Sequence, residues 1–437
     1  MRADVARRRR ALAALMLAVV AAACGEGRAE LEAVRTATAI TFSIAVPEEE
    51  RPAIQELLSR FQERTTERVN LELLSRFRSQ PRSRVDLVTG VSAADLADRL
   101  RADRRRGRAS IHLFAQDNLG LKPLVDQQLV ADVSHVAIPA PVMPSMIPAR
   151  FAGRRLFLPF RPNVRVAYAD RQRLREAGVE PPRTVDELRS VAAKLKQAAG
   201  RPVVTLSLAE GDPAAVTVSE WIVSYGGDPL VLNDEGSVRA FEDLQQLWRD
   251  GLLARESLFA KFDTEVDNLS GGRAWLAQNW SFTSAVLASE GELDRFRVYA
   301  GWRGPVRAAH VIGGDVLGIP AHVSGRQRQV AEALARFLMS REAQEHLVQA
   351  NAWPSIRPDA YRKVPEEARE TFAAIQEALE DGWFRPVVSY WPEVTEAMSE
   401  AVDRILLQGQ PVRPVLDEVH VAVARAARRH GATYPPP

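Results

Sequence analysis

The period of apolar positions switches repeatedly between two and 3.6 along this chain. Ile40-Thr-Phe-Ser-Ile-Ala-Val46 alternates as a strand does, and Pro47 with three glutamates follows as a loop. Ile54, Leu57, Leu58 and Phe61 then recur at i, i+3, i+4 and i+7, the buried face of a helix. Further strands are expected at Val69–Leu73, Val85–Val88 and around Ser110–Phe114. Strands and helices in alternation predict a parallel sheet covered by helices, with ligand off the carboxyl ends of the strands. The loops Pro47–Glu49 and Gln116–Asn118 emerge at those ends.

A second set of elements begins after Gly153. Leu156–Phe160 and Val164–Ala169 read as one extended passage interrupted by Pro159 and Pro162. Thr184-Val-Asp-Glu187 is a capping box that opens a helix through Leu188, Val191 and Leu195. Val203–Leu208 reads as a strand, Trp221–Leu253 as two helices around Gly226-Gly227-Asp228, and Arg297–Gly301 as a strand. Ser324 and Gln327 are expected to cap a helix carrying Val330, Leu334, Phe337 and Leu338 on one side. Val394, Met398, Val402, Ile405 and Leu406 stripe a last long helix that stops before Gly409.

At 437 residues the chain is long enough for two or three domains, and 46% hydrophobic with 26% charged residues is globular composition. Cys24 is the single cysteine, so no disulfide framework and no Cys-rich metal site exists within the chain. The formal charge of +2 comes from the start of the chain, where five arginines face Asp4 alone. The rest holds 53 basic against 55 acidic residues. A near-neutral body carries no electrostatic footprint for nucleic acid. The run Arg99–Arg108 reads as a solvated helix end, with an acidic partner surface as the sharper alternative.

Residues 1–24 speak for export. Arg7–Arg10 precede Ala11–Ala23, thirteen apolar residues that suit a signal peptide and are too few to span a bilayer. Ala21-Ala-Ala-Cys24-Gly25 resembles a bacterial lipobox, apart from Ala21 where that pattern usually has Leu. Cleavage after residue 23 would leave Cys24 amino-terminal and acylated, with residues 24–37 as a tether to a body outside the cytoplasmic membrane, in the periplasm or at the cell surface.

Signatures of catalysis are missing. The chain contains no G-x-x-x-x-G-K-[ST] phosphate loop, no G-x-G-x-x-G and no G-x-S-x-G elbow. Its seven histidines form no i, i+4 pair for a metal. No metal, no cofactor and no catalytic residue is therefore expected, and binding is favoured over chemistry. All eight tryptophans lie at or beyond residue 221. Trp280 and Trp302 sit beside Asn, Gly and Pro, where an indole offers a flat apolar face to a sugar ring.

Several stretches together resemble the carbohydrate-uptake (family 1) extracellular solute-binding proteins, the receptor lipoproteins of ABC importers, with trehalose- and maltose-binding members nearest in character. They are Leu121–Val133, Leu174–Leu188, Tyr225-Gly-Gly-Asp228 followed by Asn233-Asp234, Asn279-Trp280-Ser281, Gly313-Gly314 and Arg385-Pro386. The resemblance implies a two-lobed α/β fold of the periplasmic-binding-protein type (type II), each lobe a sheet flanked by helices with the ligand cleft between them. Residues 38–155 plus 308–351 would form one lobe, and 157–304 plus 353–432 the other.

By motif position it further implies that Asp117, Asn118 and Asn163 take sugar hydroxyls, that Trp280 stacks, that Gly313 and Gly314 donate backbone N–H groups, and that Arg385 reaches into the cleft. Glu48, or its neighbour Glu49, supplies a carboxylate. Arg161 and Asp315 stand where aromatics are common, giving a more charged site or an ion pair that never meets ligand. Arg385 has the same alternative, a structural salt bridge. The implied role is a monomeric receptor that hands a sugar-like solute to a membrane permease with its ATPase. A ligand sensor on the same fold and an exported carbohydrate-active enzyme are the other readings.

Overall fold

The computed structural model describes residues 38–44, 51–76, 84–88, 93–351 and 353–435. The expected signal segment, Cys24, the tether, and Glu48 and Glu49 lie outside the described residues.

Among the described residues nine strands follow in chain order: β1 (Ala39–Ser43), β2 (Arg84–Val88), β3 (Leu113–Asp117), β4 (Leu158–Asp170), β5 (Val204–Leu206), β6 (Leu276–Trp280), β7 (Phe296–Tyr299), β8 (His310–Gly318) and β9 (Gly382–Phe384). They are ordered β2-β1-β3-β8-β4-β6-β5, with β7 beside β4 and β9 beside β8. The expected parallel sheet holds for β1, β2 and β3 and again for β5 and β6. Elsewhere it is corrected, because β8 runs antiparallel to both β3 and β4, and β4 antiparallel to β6 and β7.

The extended passage with two prolines is the single strand β4. Its first half, through Val164, pairs with β8, and from Arg165 onward it pairs with β6, so one strand serves both sheets. Proline removes a ladder N–H donor and is confined to strand edges and bulges. Pro159 and Pro162 obey this: among the described strands this half of β4 pairs with β8 alone, and the register shifts between Pro159 and Arg161.

Helices cover the sheets with the anticipated apolar faces. In the Arg51–Arg76 helix Ile54, Leu57, Leu58 and Phe61 are buried. The same helix runs on through Val69–Leu73, correcting the strand expected there: five alternating residues are too few to separate a strand from a helix. Thr184 caps the Val185–Ala199 helix by accepting from the Glu187 N–H, as its capping box predicts. Ser324 stands at the N-cap of the Gly325–Leu338 helix, yet its side chain makes no capping bond. Helices Asp212–Ser224 and Glu235–Arg249 flank the double glycine, the first starting nine residues before the expected Trp221. The stripe ending at Leu406 is a helix, Trp391–Val402, continued by a π-turn. It is not the last, since Val412–Arg429 follows with Val415, Leu416, Val419 and Val423 buried.

Two large apolar clusters result. One gathers β1, the first half of β4 and the helices Arg51–Arg76 and Gly325–Leu338. It also takes in Trp353, Ile356, Phe372 and Leu379, from a stretch expected with the other lobe, together with Val266, Phe296 and Val298. The second gathers β5, β6 and the helices Val185–Ala199, Glu235–Arg249 and Val412–Arg429.

Gly318 faces Phe114 across the β3–β8 pair, and a methyl group there would sit 2.3–3.0 Å from the Phe114 ring, itself fully buried. Gly318→Ala is therefore expected to destabilise the fold by about 1–3 kcal/mol through overpacking. Urea unfolding measures this, and an unchanged midpoint would show that the ring has room to yield.

Candidate functional site

The crossing of β3, β4, β6 and β8 collects most of the residues singled out by sequence. Asp117, Asp315 and Arg161 form one row across β3, β8 and β4, with Asp315 the register partner of both others. Gly314 pairs with Pro162 and Gly313 with Asn163. Arg385 follows β9, whose Phe384 pairs with Ile312 of β8. Trp280 closes β6 opposite Arg165.

The two glycines have separate reasons. Gly314 adopts φ +88°, and the Arg161 carbonyl oxygen lies 2.1 Å from where its Cβ would stand, so no side chain fits. At Gly313 the missing Cβ would stand 3.0 Å from the Trp280 indole, which packs against that strand. Phe262 meets the indole edge-on at 5.6 Å, and Val216, Val311 and Trp383 complete its surroundings.

Most charged and polar groups here are paired within the protein, and Asn118 stands apart as a side chain with no hydrogen bond at all among the described residues. Arg161 holds Asp315 at 2.6 Å and lies over the Trp353 ring at 4.1 Å, the ion-pair alternative for these two residues. Asn163 accepts from the Ser281 hydroxyl at 2.7 Å. Arg385, 3% exposed, pairs with Asp212 at 2.5 Å, while its Nε has no hydrogen-bond partner among the described residues. Asn118 is 2% exposed, directly after Asp117, and neither its carboxamide oxygen nor its nitrogen has a hydrogen-bond partner among the described residues. A buried amide left unpaired is costly, which marks Asn118 as a group awaiting a partner.

Trp302 departs from expectation. It is buried in the second apolar cluster, lining a small void with Trp221 and Glu220, and does not join the group around Gly313. Glu48 lies outside the described residues.

Beneath the indole lies a charged network that pattern reading missed. Arg165, fully buried, donates to the Thr217 hydroxyl at 2.7 Å and the Gln278 carbonyl at 2.9 Å, and faces Glu220 at 3.3 Å. Glu220 in turn accepts the Val311 N–H at 2.7 Å, tying the Asp212–Ser224 helix to β8 two residues before Gly313. Glu265 is fully buried and accepts from Thr205. Burial pushes Glu220 and Glu265 each up to about 7, partly offset by Arg165. Burial and the neighbouring Arg165 pull His310 down to about 4. Arg165 escapes notice because Val-Arg-Val looks like a half-exposed strand. A signal for Glu220 was present: the Asp212–Ser224 helix is apolar around its whole circumference, so a charge in it has to be buried and paired. No group of three or more His, Cys, Asp or Glu side chains placed to hold a metal occurs among the described residues.

The family profile described as bacterial extracellular solute-binding protein matches residues 76–374. This chain belongs to that family. Solved structures place the two-lobed α/β fold of this solute-binding protein beside known ones. The sugar-binding protein MalE from Xanthomonas citri has TM-score 0.76 at 15% identity, covering 90% of this chain and 98% of its own. Maltose-bound MalE3 of T. maritima has TM-score 0.68 at 19% identity, covering 89% and 100%. A solute-binding protein from Agrobacterium radiobacter K84 in complex with ribitol has TM-score 0.66 at 17% identity, covering 89% and 98%.

The network makes stability depend on pH. Between about pH 4.5 and 7 the folded chain keeps protons on Glu220 and Glu265 that the unfolded chain has released, so their contribution falls as pH rises. His310 acts oppositely between about 4 and 6.5, since there the unfolded chain holds the extra proton. Glu265→Gln removes one of the falling contributions. Relative to the native chain its stability should rise by about 1 kcal/mol per pH unit between pH 5 and 6.5. Denaturant unfolding across that range tests it, and parallel curves would mean Glu265 is ionised throughout.

Proposed function

We propose that this protein is the exported, lipid-anchored receptor of an ABC importer, holding a carbohydrate-like solute between its lobes and delivering it to a permease with its ATPase. One observation carries the reading. At the strands linking the two sheets, an indole lies on a glycine, and the residue that follows β3 is a buried amide with no hydrogen-bond partner among the described residues. An aromatic face suits the C–H side of a sugar ring, and unpaired amide groups suit its hydroxyls. Asp117, Asn118, Asn163, Trp280, Gly313 and Gly314 are the proposed contacts. Arg161, Asp315 and Arg385, paired within the protein, shape the wall and reach ligand only by exchanging partners.

Family membership supports a binding role without chemistry, and the maltose and ribitol held by two of the similar proteins support a polyhydroxylated solute. Both lobes are joined through β4 and β8, so bending there would open and close the cleft. A permease then distinguishes loaded from empty receptor by its differential affinity for the closed form. Acylation at Cys24 would hold the body at the outer face of the membrane that houses the permease.

Thermal unfolding against a panel of mono- and disaccharides, polyols, uronic and amino sugars, sugar phosphates and amino acids tests this. A solute at about 100 times its Kd adds about 2.7 kcal/mol, a shift of degrees. Carbohydrates or polyols should give the shift; a response confined to amino acids would sink the sugar reading. Trp280→Ala should weaken that solute's affinity at least about fivefold, with about 1 kcal/mol lost. Because Trp280 is also packed, Asn118→Ala serves as a second variant, and calorimetry well below the melting point reads both. Unchanged affinity in both would remove this crossing from the binding site.

A further inference from the structure

The first sheet has a second end. Opposite the carboxyl ends of β1 and β3, a cavity of about 740 Å³ opens beside Ala39 and Thr41, where β1 begins. Donors reach it from three separate elements. Arg106 and Arg108, both exposed, come from the end of the Ala93–Arg106 helix and the turn after it, the arginine run that the solute site leaves unused. The Gly325–Leu338 helix points its amino terminus into the cavity through Ser324 and Gln327, and Ser324 does not cap it. First-turn N–H groups of such a helix have no intrahelical acceptor and carry the positive end of its dipole.

The third donor is a buried imidazole. His112, 5% exposed, accepts the Thr41 N–H on Nδ1 at 3.0 Å, so its proton sits on Nε2. That Nε2–H is buried against the Gln327 side chain, which interacts with it without a hydrogen bond of standard geometry. Both nitrogens of His322, on the same wall, are without a hydrogen-bond partner among the described residues. The carboxylate present, Asp103, is already engaged by the Ser110 N–H at 2.7 Å and its hydroxyl at 2.5 Å.

We infer that this cavity binds a phosphate group. Guanidinium forks, a free helix amino terminus and an imidazole N–H converging from three sides suit a tetrahedral oxyanion better than a planar carboxylate. The volume exceeds what a bare phosphate needs and accommodates a substituted one, such as a phospholipid headgroup. The lipid source rests on the anchored reading: residues 25–38 span at most about 50 Å between Cys24 and Ala39, which keeps this end of the body within reach of the bilayer.

Calorimetry on the full-length protein in a neutral detergent tests the site with two probes, inorganic phosphate and glycerophosphoglycerol, the deacylated headgroup of an anionic phospholipid. Saturable binding of either is expected, weakened at least about tenfold in Arg106→Ala/Arg108→Ala and partly restored by Lys at both positions. Tighter binding of the headgroup assigns the lipid source, and tighter binding of phosphate assigns the free anion. Both variants change exposed side chains, so their melting points without phosphate and their response to the transported solute should match the native chain. Failure here is thereby separable from failure of the solute site. No saturable binding of either probe, or binding indifferent to the arginines, overturns the assignment.

Discussion

Gly314 has no side chain, and the carbonyl oxygen of Arg161 approaches to within 2.1 Å of where one would start. That contact lets β8 lie against β4 through the stretch where Asp315 meets Arg161 and Gly313 meets Asn163. The whole molecule is built on this antiparallel pair. β8 carries the pairing on to β3, and β4 carries it past Arg165 to β6, so the two sheets are joined by strands that belong to both. Two lobes connected in this way share a waist, and the polar groups of each meet there.

What lies below the waist explains its definition. A fully buried arginine is tolerated only with its donors engaged and with counter-charge nearby. Arg165 satisfies this through Thr217, Gln278 and Glu220. Since Glu220 also holds the Val311 N–H, the network fixes the position of a second-lobe helix relative to the strand bearing Gly313. Buried ion pairs seldom add net stability. Here the arrangement sets geometry, holding the Asp212–Ser224 helix against β8 two residues before Gly313.

The first sheet differs at its two ends. Carboxyl ends of its parallel strands lead to Asp117 and Asn118 at the waist, while the other end is ringed by arginines, a helix amino terminus and two imidazoles, His112 and His322. The chemistry of the first suits a neutral polyhydroxylated solute, and that of the second an anion. Their separation across the sheet allows both to be occupied at once.

Local features are legible in the order of residues alone: the strand–helix alternation of the first lobe, the Thr184 capping box, the glycine pair, and Trp280 at a break in order. Each is written in spacing or in a residue's own conformational needs, which neighbours in sequence reveal. Partnership is different. Arg161 and Asp315 are 154 positions apart, and nothing in either segment says that their strands run antiparallel or that the two charges neutralise each other. Trp302 and Trp280 occupy similar contexts in sequence, yet one enters a core and the other lies on a glycine, because only packing decides which face of a strand end is covered. Periodicity reports that a position is buried. Which chain segment buries it, and whether a charge there finds its counterpart, is settled when the strands cross.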